Sequence, residues 1–512
     1  MATSNRKMRA FKKWMNWKGV EWSDALELVA TESSVFVRAV GDLHEGDLVA
    51  KIPKESCLTI KTCGARQIIE EAELDGYLGL AVALMYERSL GPVSPWFGYL
   101  QLLPHSEPIP LLWSLSEINS LLAGTELHKI IKEDKVLIHE DWKECIQPLL
   151  DNASLGLNPE GFGIEEYFAA RSLISSRSFQ IDDYHGFGMV PLADLFNHKT
   201  GAEDVHFTSI SSDSESDSDA DDNNSNTEYQ NNSDHEPISK NPHSEGDSLS
   251  GSDLDSSSMS GNDPTALEMI MVKNVKAGVE VFNTYGYIGN AALLHRYGFT
   301  EPDNPYDILN LDLELVLQWS SSRFSYRHSR RRLSLWRELG YSGCVSQDSE
   351  YFEISYYGEP QIELIILLYI LLLSEEAYSE VNLAVSTMGD VENSWQLFLS
   401  KQGVPLENGS ELSKNSLLTE SVCLALLSLA DARESLYGSN SLRNDIKELD
   451  RCSQLSEPKQ YHSLVLRISE RKILQKLRTY ASAGATTKKG TKRKGKRSRM
   501  KTQDATRSVL YT

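Results

Sequence analysis

The sequence predicts an α+β protein in which a β-rich domain with an inserted helical region precedes an all-α C-terminal domain. The chain has 512 residues, 40% of them hydrophobic, which is enough to build at least two cores. Residues 34–53 and 267–282 contain short runs typical of β-strands, whereas residues 305–483 repeat leucine and isoleucine at helical spacing. Two further segments, residues 209–266 and 484–512, have compositions typical of disorder.

The β-rich domain opens with a short amphipathic helix around Phe11, Trp14 and Trp17. Two β-rich runs, residues 34–40 and 47–53, then flank a glycine-containing turn and predict a hairpin that ends at a proline. Leucine and isoleucine recur every three or four residues from about 62 to 170, with a proline-rich break near residue 108. This stretch predicts a helical insertion within the domain.

An acidic, serine-rich segment interrupts the β-rich domain. Residues 211–263 hold fourteen acidic side chains against one base, Lys240, and so account for more than half of the net charge of −22. With almost no apolar residues, such a segment cannot offset its ordering entropy, and we expect a disordered insert over 209–266. Strand-like residues 267–272 resume after it, and a second hairpin into residues 279–282 is predicted. The insert therefore lies inside a domain.

Several classes of protein are disfavoured by what the sequence lacks. The six cysteines lie far apart without a Cys-x-x-Cys pair, so we expect neither a disulfide framework nor a cysteine-based zinc site. The longest apolar run, Leu364 to Leu373, is too short to span a bilayer, and we expect no membrane partner. No P-loop, dinucleotide fingerprint or nucleophile elbow occurs, and no spacing predicts a metal site. A soluble, intracellular, multidomain protein is the starting hypothesis.

Two clusters of chemically active residues remain. The first ends in Asn197 and His198, and the second contains Tyr285, followed by Tyr297 and Phe299. Each cluster alone is weak evidence, because a histidine beside a strand is more often structural than catalytic. Together and in this order, they occur with six longer motifs, namely SPWFGYLQLLP (94–104), LWS (112–114), LAGT (122–125), SRSF (176–179), VPLADLFNH (190–198) and YGF (297–299).

These motifs resemble a SET-domain methyltransferase of the Rubisco large-subunit methyltransferase-like branch, over roughly residues 10–480 without the insert. In that branch, a strand ending in an Asn-His pair is crossed by a later strand ending in a tyrosine, which makes a pseudoknot. The resemblance implies a SET domain at 11–300, a helical substrate-binding domain at 305–483 and a basic tail at 484–512. It also implies S-adenosyl-L-methionine as methyl donor and a lysine of a protein substrate as acceptor.

The resemblance assigns a role to individual residues of this chain. Tyr285 matches the catalytic tyrosine, whose hydroxyl holds the amine and orients the methyl group. Positions that match contacts with the methyl donor are Ser33, Ser34, Val35, Arg177, Asn197, His198 and Tyr297. Positions that match the acceptor channel or substrate cleft are Trp113, Ser178, Asp194 and Phe207. No metal ligand is implied.

One departure from the branch affects the donor site. The branch has a glycine-rich stretch ahead of its first hairpin, but this chain reads Glu32-Ser33-Ser34-Val35-Phe36 there. Side chains at these positions narrow the approach of a ligand to the backbone. An alternative function is therefore a SET-fold scaffold or binding protein with little catalysis, in chromatin or ribonucleoprotein complexes. A histidine acceptor is a third hypothesis.

The basic tail bears on compartment and partners. Nine of the fourteen residues 488–501 are lysine or arginine. Such a run is typical of a nuclear localisation signal, of weak electrostatic contact with nucleic acid, or of a solvated tail. We expect a nuclear protein, with the cytoplasm as the alternative, whose substrate is a nuclear or ribosomal protein.

Overall fold

The computed structural model has the α+β organisation that the sequence predicts. It describes the chain except for residues 1, 32–34, 209–263, 343–349, 389–390, 403, 405, 408–410, 413 and 506–512. Only the backbone is described for residues 2–5, 208, 388, 392, 406–407, 411–412 and 485–505. The predicted donor contacts Ser33 and Ser34, most of the insert and the end of the tail therefore lie outside the described residues.

The first part of the chain combines short strands with an inserted group of helices. Its strands are β1 (Glu21–Trp22), β2 (Leu26–Ala30), β3 (Val35–Ala39), β4 (Leu48–Pro53), β5 (Leu58–Thr59), β6 (Ser178–Asp182), β7 (Gly186–Met189), β8 (Val205–Thr208) and β9 (Ala266–Met271). Its helices are α1 (Ala2–Trp17), α2 (Arg66–Glu71), α3 (Gly76–Ser89), α4 (Phe97–Leu100), α5 (Leu115–Leu121), α6 (Leu127–Asp141), α7 (Gln147–Asp151), α8 (Ile164–Arg177) and α9 (Asn290–Tyr297). Helices α2 to α8 confirm the predicted helical insertion.

The strands form three small antiparallel sheets, with orders β1-β4-β9-β8, β5-β7-β6 and β2-β3. The predicted hairpin of residues 34–40 with 47–53 is wrong. Both runs contain strands, but β3 pairs with β2, while β4 pairs with β1 and β9. The connection between them pairs with a distant segment instead, since Leu43 and Val275 exchange two backbone hydrogen bonds.

The second predicted hairpin, from residues 267–272 into 279–282, is also wrong. Strand β9 pairs with β4 and β8. The segment after it runs along β3 instead, where the Val281 amide donates to the Val37 carbonyl at 2.9 Å. This arrangement buries both valine side chains completely, which non-local pairing achieves and a local turn does not.

The insert joins two strands that are direct neighbours. Strands β8 and β9 pair antiparallel, with Val205 opposite Met271 and Thr208 opposite Glu268. The prediction that the insert lies inside a domain is thus confirmed, since its two ends return to the same sheet.

We expect a variant in which a four-residue Gly-Ser loop replaces residues 209–263 to fold and to be as stable as the wild type or more so. A shorter connection between paired strands loses less conformational entropy when the loop closes, which lowers the free-energy cost of closure by on the order of 1–2 kcal/mol. Thermal unfolding followed by circular dichroism measures this. A fall in the melting temperature would show that the insert contributes contacts to the fold.

The second part of the chain is mainly helical. Its elements are β10 (Leu309–Asp312), α10 (Leu313–Ser321), α11 (Tyr326–Glu338), β11 (Tyr351–Ile354), α12 (Ile362–Leu371), α13 (Glu375–Met388), α14 (Val391–Lys401), β12 (Leu406–Glu407), β13 (Glu411–Leu412), α15 (Lys414–Leu417), α16 (Glu420–Ser435), α17 (Leu442–Leu449) and α18 (Pro458–Ala505). The all-helical prediction for this part is wrong at β10 and β11, which pair antiparallel, and at β12 and β13. In α16, Cys423, Leu426 and Leu429 are fully buried, whereas Leu424 is 55% exposed.

The backbone of helix α18 continues to Ala505. The predicted disorder of the tail stays a prediction. None of the described helices is both long enough and apolar enough to cross a membrane.

The two parts have separate cores that meet along α18. One core draws its residues from the N-terminal part up to Val281 and the other from Leu309 onward. A third, smaller cluster joins them, in which Leu466 of α18 packs with Trp113 and Leu294. Beside it, His462 of α18 accepts hydrogen bonds at its Nδ1 from the Thr300 amide at 3.1 Å and from the Thr300 hydroxyl at 2.9 Å.

His462→Asn should remove a pH dependence of stability that this contact creates. Burial lowers the pKa of His462 to about 4, whereas an unfolded histidine has a pKa near ~6.5. The unfolded state therefore binds more protons between these values, and the wild type should lose about 2 kcal/mol from pH 7.5 to pH 5. The Asn Oδ1 can replace the Nδ1 acceptor without titrating. Urea unfolding at both pH values tests this, and equal losses in the two proteins would contradict it.

Candidate active site

The two sequence clusters meet in the structure. The Asn283 amide donates to the Asn197 carbonyl at 2.9 Å, and His198 and Asn283 form a parallel bridge. The Tyr285 amide donates to His198 Nδ1 at 3.0 Å. Segments 196–198 and 283–285 thus lie side by side, as the resemblance implied. The hydrogen bond also fixes the tautomer of His198, because an Nδ1 that accepts leaves the proton on Nε2.

Tyr285 lies at the centre of this meeting point. Its ring stacks on His198, with centroids 5.0 Å apart, and packs against Tyr297 at 4.4 Å. Its hydroxyl donates to the Phe196 carbonyl at 3.2 Å. Burial raises the pKa of the Tyr285 phenol well above its usual value, against the lowering effect of Arg177. The hydroxyl therefore stays protonated at neutral pH, with its donor engaged and its lone pairs free to accept a hydrogen bond.

A strained turn carries Asp194 toward the same place. Leu192, fully buried, has a φ of +78°, a conformation that costs a non-glycine residue about 1–3 kcal/mol. The 3₁₀ turn Ala193–Leu195 follows directly. Backbone strain of this kind persists where the surrounding packing requires it, and it is concentrated at functional sites.

Asp194 and Arg177 form the charged side of the site. Arg177 Nη1 lies 3.0 Å from the Asp194 carbonyl and 3.6 Å from its carboxylate, whose side chain is fully buried. Arg177 Nε donates to Glu107 at 2.6 Å, and Tyr99 donates to Asp194 Oδ2 at 2.9 Å. Asp194 Oδ1 is buried without a hydrogen-bond partner among the described residues. An orphaned acceptor of this kind is expected where a ligand completes the site.

The pKa values of this pair reflect its burial. Burial raises the pKa of the Asp194 carboxyl to about 6, although the Arg177 guanidinium opposes the rise. For Arg177, burial disfavours the charge, but the Asp194 and Glu107 carboxylates outweigh it and raise the pKa. The guanidinium is thus permanently charged, and its Nη2 makes no hydrogen bond to a described residue. It is suited to a ligand carboxylate.

Asn197 is held by a residue that the sequence did not indicate. Its Nδ2 donates to Glu280 at 2.7 Å. Burial lowers the pKa of His198, so the ring is neutral at physiological pH. The contact with Glu280 fixes the orientation of the Asn197 side chain, and the hydrogen bond from the Tyr285 amide fixes that of the His198 ring.

The remaining predicted residues lie further from this cluster or outside it. Phe207 packs against Phe179, with ring centroids 5.0 Å apart, and Ser178 begins β6. Val35 begins β3, opposite Ala30. Trp113 is 2% exposed and belongs to the cluster that joins the two cores. The structure does not bring these four side chains into the ring stack around Tyr285, and their assigned roles stay predictions.

Among the described residues, no group of three or more His, Cys, Asp or Glu side chains is placed to hold a metal ion. Three supporting residues were missed: Tyr99, Glu107 and Glu280. Tyr99 stands within a quoted motif, but its partner is 95 residues away in sequence. Glu107 and Glu280 are ordinary surface-type residues in the sequence, and nothing in their local pattern indicates their partners.

The chain has the SET-domain fold, and its joined clusters and helical C-terminal part resemble those of the Rubisco large-subunit methyltransferase-like branch. The chain is 24% identical over 499 residues to the N-lysine methyltransferase setd6 of Salmo salar, covering 92% of this chain and 95% of that protein. It is 26% identical over 324 residues to ribosomal lysine N-methyltransferase 3 of Saccharomyces cerevisiae, covering 54% of this chain and only 58% of the yeast protein.

Solved structures agree on the fold. The structure of Rubisco LSMT bound to AdoMet has a TM-score of 0.60 at 17% identity, over 94% of this chain and 92% of that one. The SET domain of LSMT bound to lysine and AdoHcy has a TM-score of 0.60, also at 17% identity, over 94% of this chain and 91% of that one. No protein-family model matches the chain.

Proposed function

We propose that this protein is a protein-lysine N-methyltransferase that uses S-adenosyl-L-methionine as methyl donor. The observation that supports this most strongly is the position of Tyr285, a partly buried and protonated phenol where the two clusters meet. Its relatives support the same activity, since those quoted above are named as lysine methyltransferases. A degenerate scaffold would be free to lose Arg177, Asn197, His198 and Tyr285, and this chain retains all four.

The acceptor amine must be neutral before it can attack a methyl carbon. Free lysine has a pKa near ~10.4, so the site must disfavour its charged form. Burial among the rings of Tyr285, Tyr297 and His198 disfavours a cation by desolvation. Tyr285 then orients the amine, because its free lone pairs accept an N–H while its own O–H donates to the Phe196 carbonyl.

The donor, when bound, supplies a methyl group on a positively charged sulfur. The residues present fit such a group. Arg177 offers a partly buried guanidinium to a carboxylate, and the unpaired Asp194 Oδ1 offers an acceptor to an ammonium or to the acceptor lysine. Asn197 and His198 would hold the rest of the donor, with Tyr297 covering it, and Ser33, Ser34 and Val35 are proposed as further donor contacts. Ser178, Phe207 and Trp113 are proposed to contact the substrate.

The partner is a protein that carries the acceptor lysine. We place the enzyme in the nucleus, with the cytoplasm as second choice, on the strength of the basic run at residues 488–501. That run also suits a weak contact with nucleic acid, as expected for a nuclear or ribosomal substrate.

Transfer of labelled methyl from S-adenosyl-L-methionine into separate nuclear and cytosolic extracts tests this function. Label in a discrete protein band, with lysine as the modified residue, would support the proposal and reveal the substrate. Calorimetry of donor binding is the companion measurement. No heat at millimolar donor, together with no labelled band, would refute the enzyme and favour the scaffold.

A further inference from the structure

The first two turns of α11 present an unusual concentration of positive charge. The segment reads Tyr-Arg-His-Ser-Arg-Arg-Arg from Tyr326, in a chain whose net charge is −22. Arg327 and Arg330 are exposed and form no ion pair with any described residue, and Tyr326 beside them is 73% exposed. Residues three and four apart share one side of a helix. We call the surface of Tyr326, Arg327, Arg330 and Arg331 the basic face.

Packing explains only part of this charge. Arg332 is 1% exposed, lies over the Tyr378 ring at 4.3 Å and pairs with Glu375 at 3.1 Å. Arg331 lies over the same ring at 5.0 Å and reaches Glu375 at 3.4 Å. These two arginines fasten α11 to α13. Arg327 and Arg330 have no such contact.

The two unexplained arginines stand where they weaken the helix. The N-terminal end of a helix carries partial positive charge, so cations there cost stability, and α11 has no acidic residue in its first turn. Arg327 also repels Arg330 and Arg331 at spacings of three and four residues. Positions where a sequence breaks such a local rule without a packing gain are candidates for functional sites. The combined field of helix end and guanidinium groups points to an anionic ligand.

The shape of the basic face indicates which anion it suits. From Arg327 to Arg331 it extends only about 6 Å along the helix axis. Glu375, at the start of α13, pairs with Arg331 at one edge of this face. A short acidic segment is long enough to cover a face of this length. The guanidinium fork also matches a carboxylate in geometry.

We propose that the basic face docks an acidic segment of the protein substrate, outside the site around Tyr285. The function of this docking rests on the proposed methyltransferase activity, although the binding itself does not. Docking raises the local concentration of the acceptor lysine. Its loss should therefore raise KM for a substrate that carries an acidic segment and leave kcat unchanged.

Fluorescence anisotropy with a fluorescein-labelled octaglutamate peptide tests the docking on the full chain. The Arg327→Gln/Arg330→Gln variant should bind the peptide about tenfold more weakly than the wild type, and wild-type binding should weaken at about 0.2 M salt. The matched control is Arg443→Gln/Lys447→Gln, which removes the same charge from the exposed side of α17, in the same part of the chain. This control should bind as the wild type does.

Each contrary outcome overturns the proposal. Equal binding by the Arg327→Gln/Arg330→Gln variant and the control would remove the basic face from recognition. Tighter binding of a labelled eight-nucleotide oligouridylate than of octaglutamate would assign the face to nucleic acid. Tighter peptide binding after replacement of residues 209–263 would assign it to the chain's own acidic segment. Because no methyl transfer is measured, failure here leaves the enzyme proposal standing.

Discussion

Tyr285→Phe should lower kcat by at least about 100-fold while donor affinity stays within a few-fold of the wild type. The variant keeps the ring, and with it the stack on His198 and Tyr297, so the walls of the pocket are preserved. It loses the hydroxyl oxygen that we propose accepts a hydrogen bond from the acceptor amine. Single-turnover transfer at saturating substrate measures the chemical step, and calorimetry measures donor binding.

Tyr287→Phe is the matched control for this change. It removes the same atom two residues away, from a side chain that is 72% exposed and packs only against Tyr306 among the described rings. We expect it to leave kcat unchanged. A Tyr285→Phe enzyme that turns over at the wild-type rate would contradict the assigned role. A parallel loss of donor affinity would show that the hydroxyl supports the pocket through Phe196 instead.

The part of the site that could be predicted is the part written in contiguous motifs. Asn197, His198 and Tyr285 stand in local patterns that the branch shares, and the structure brings them together as expected. Their supports could not be predicted, because each depends on a contact between distant residues. Glu280 has meaning only once the chain has carried it to Asn197, 83 residues away in sequence.

Strand identity was predicted better than strand pairing for the same physical reason. A strand can be recognised from the residues within it, and the runs 34–40 and 47–53 both contain strands. Pairing depends on which distant strand buries the same face, so two local hairpins were predicted where the chain makes non-local sheets. Strands β10 and β11 were missed because each has only four residues within a long helical region. Helix α12 was predicted correctly, since its ten residues are almost wholly apolar.

Arg177→Met should destabilise the protein by about 3–5 kcal/mol, because it leaves the buried Asp194 and Glu107 without their cation. The loss should depend on pH. Without Arg177, the pKa of Asp194 rises further above its present value of about 6, while the unfolded value stays near ~3.9. The folded state then binds a proton that the unfolded state lacks, so stability falls as pH rises through the folded pKa. Urea unfolding at pH 6 and pH 8 should show the larger deficit at pH 8.

Adding Asp194→Asn to Arg177→Met separates the structural role of the guanidinium from its proposed contact with the donor. The double variant has no buried charge left at position 194, so we expect it to regain the part of the stability at pH 8 that Asp194 costs, while Glu107 stays unpaired. It should not regain donor affinity, because the cation for the donor carboxylate is still missing. Arg171→Met, on the same helix α8, is the control: it should lose stability, through Tyr167 and Asp141, and keep donor affinity. If the double variant binds the donor as the wild type does, Arg177 acts only through the fold, and the donor carboxylate must be held by another group.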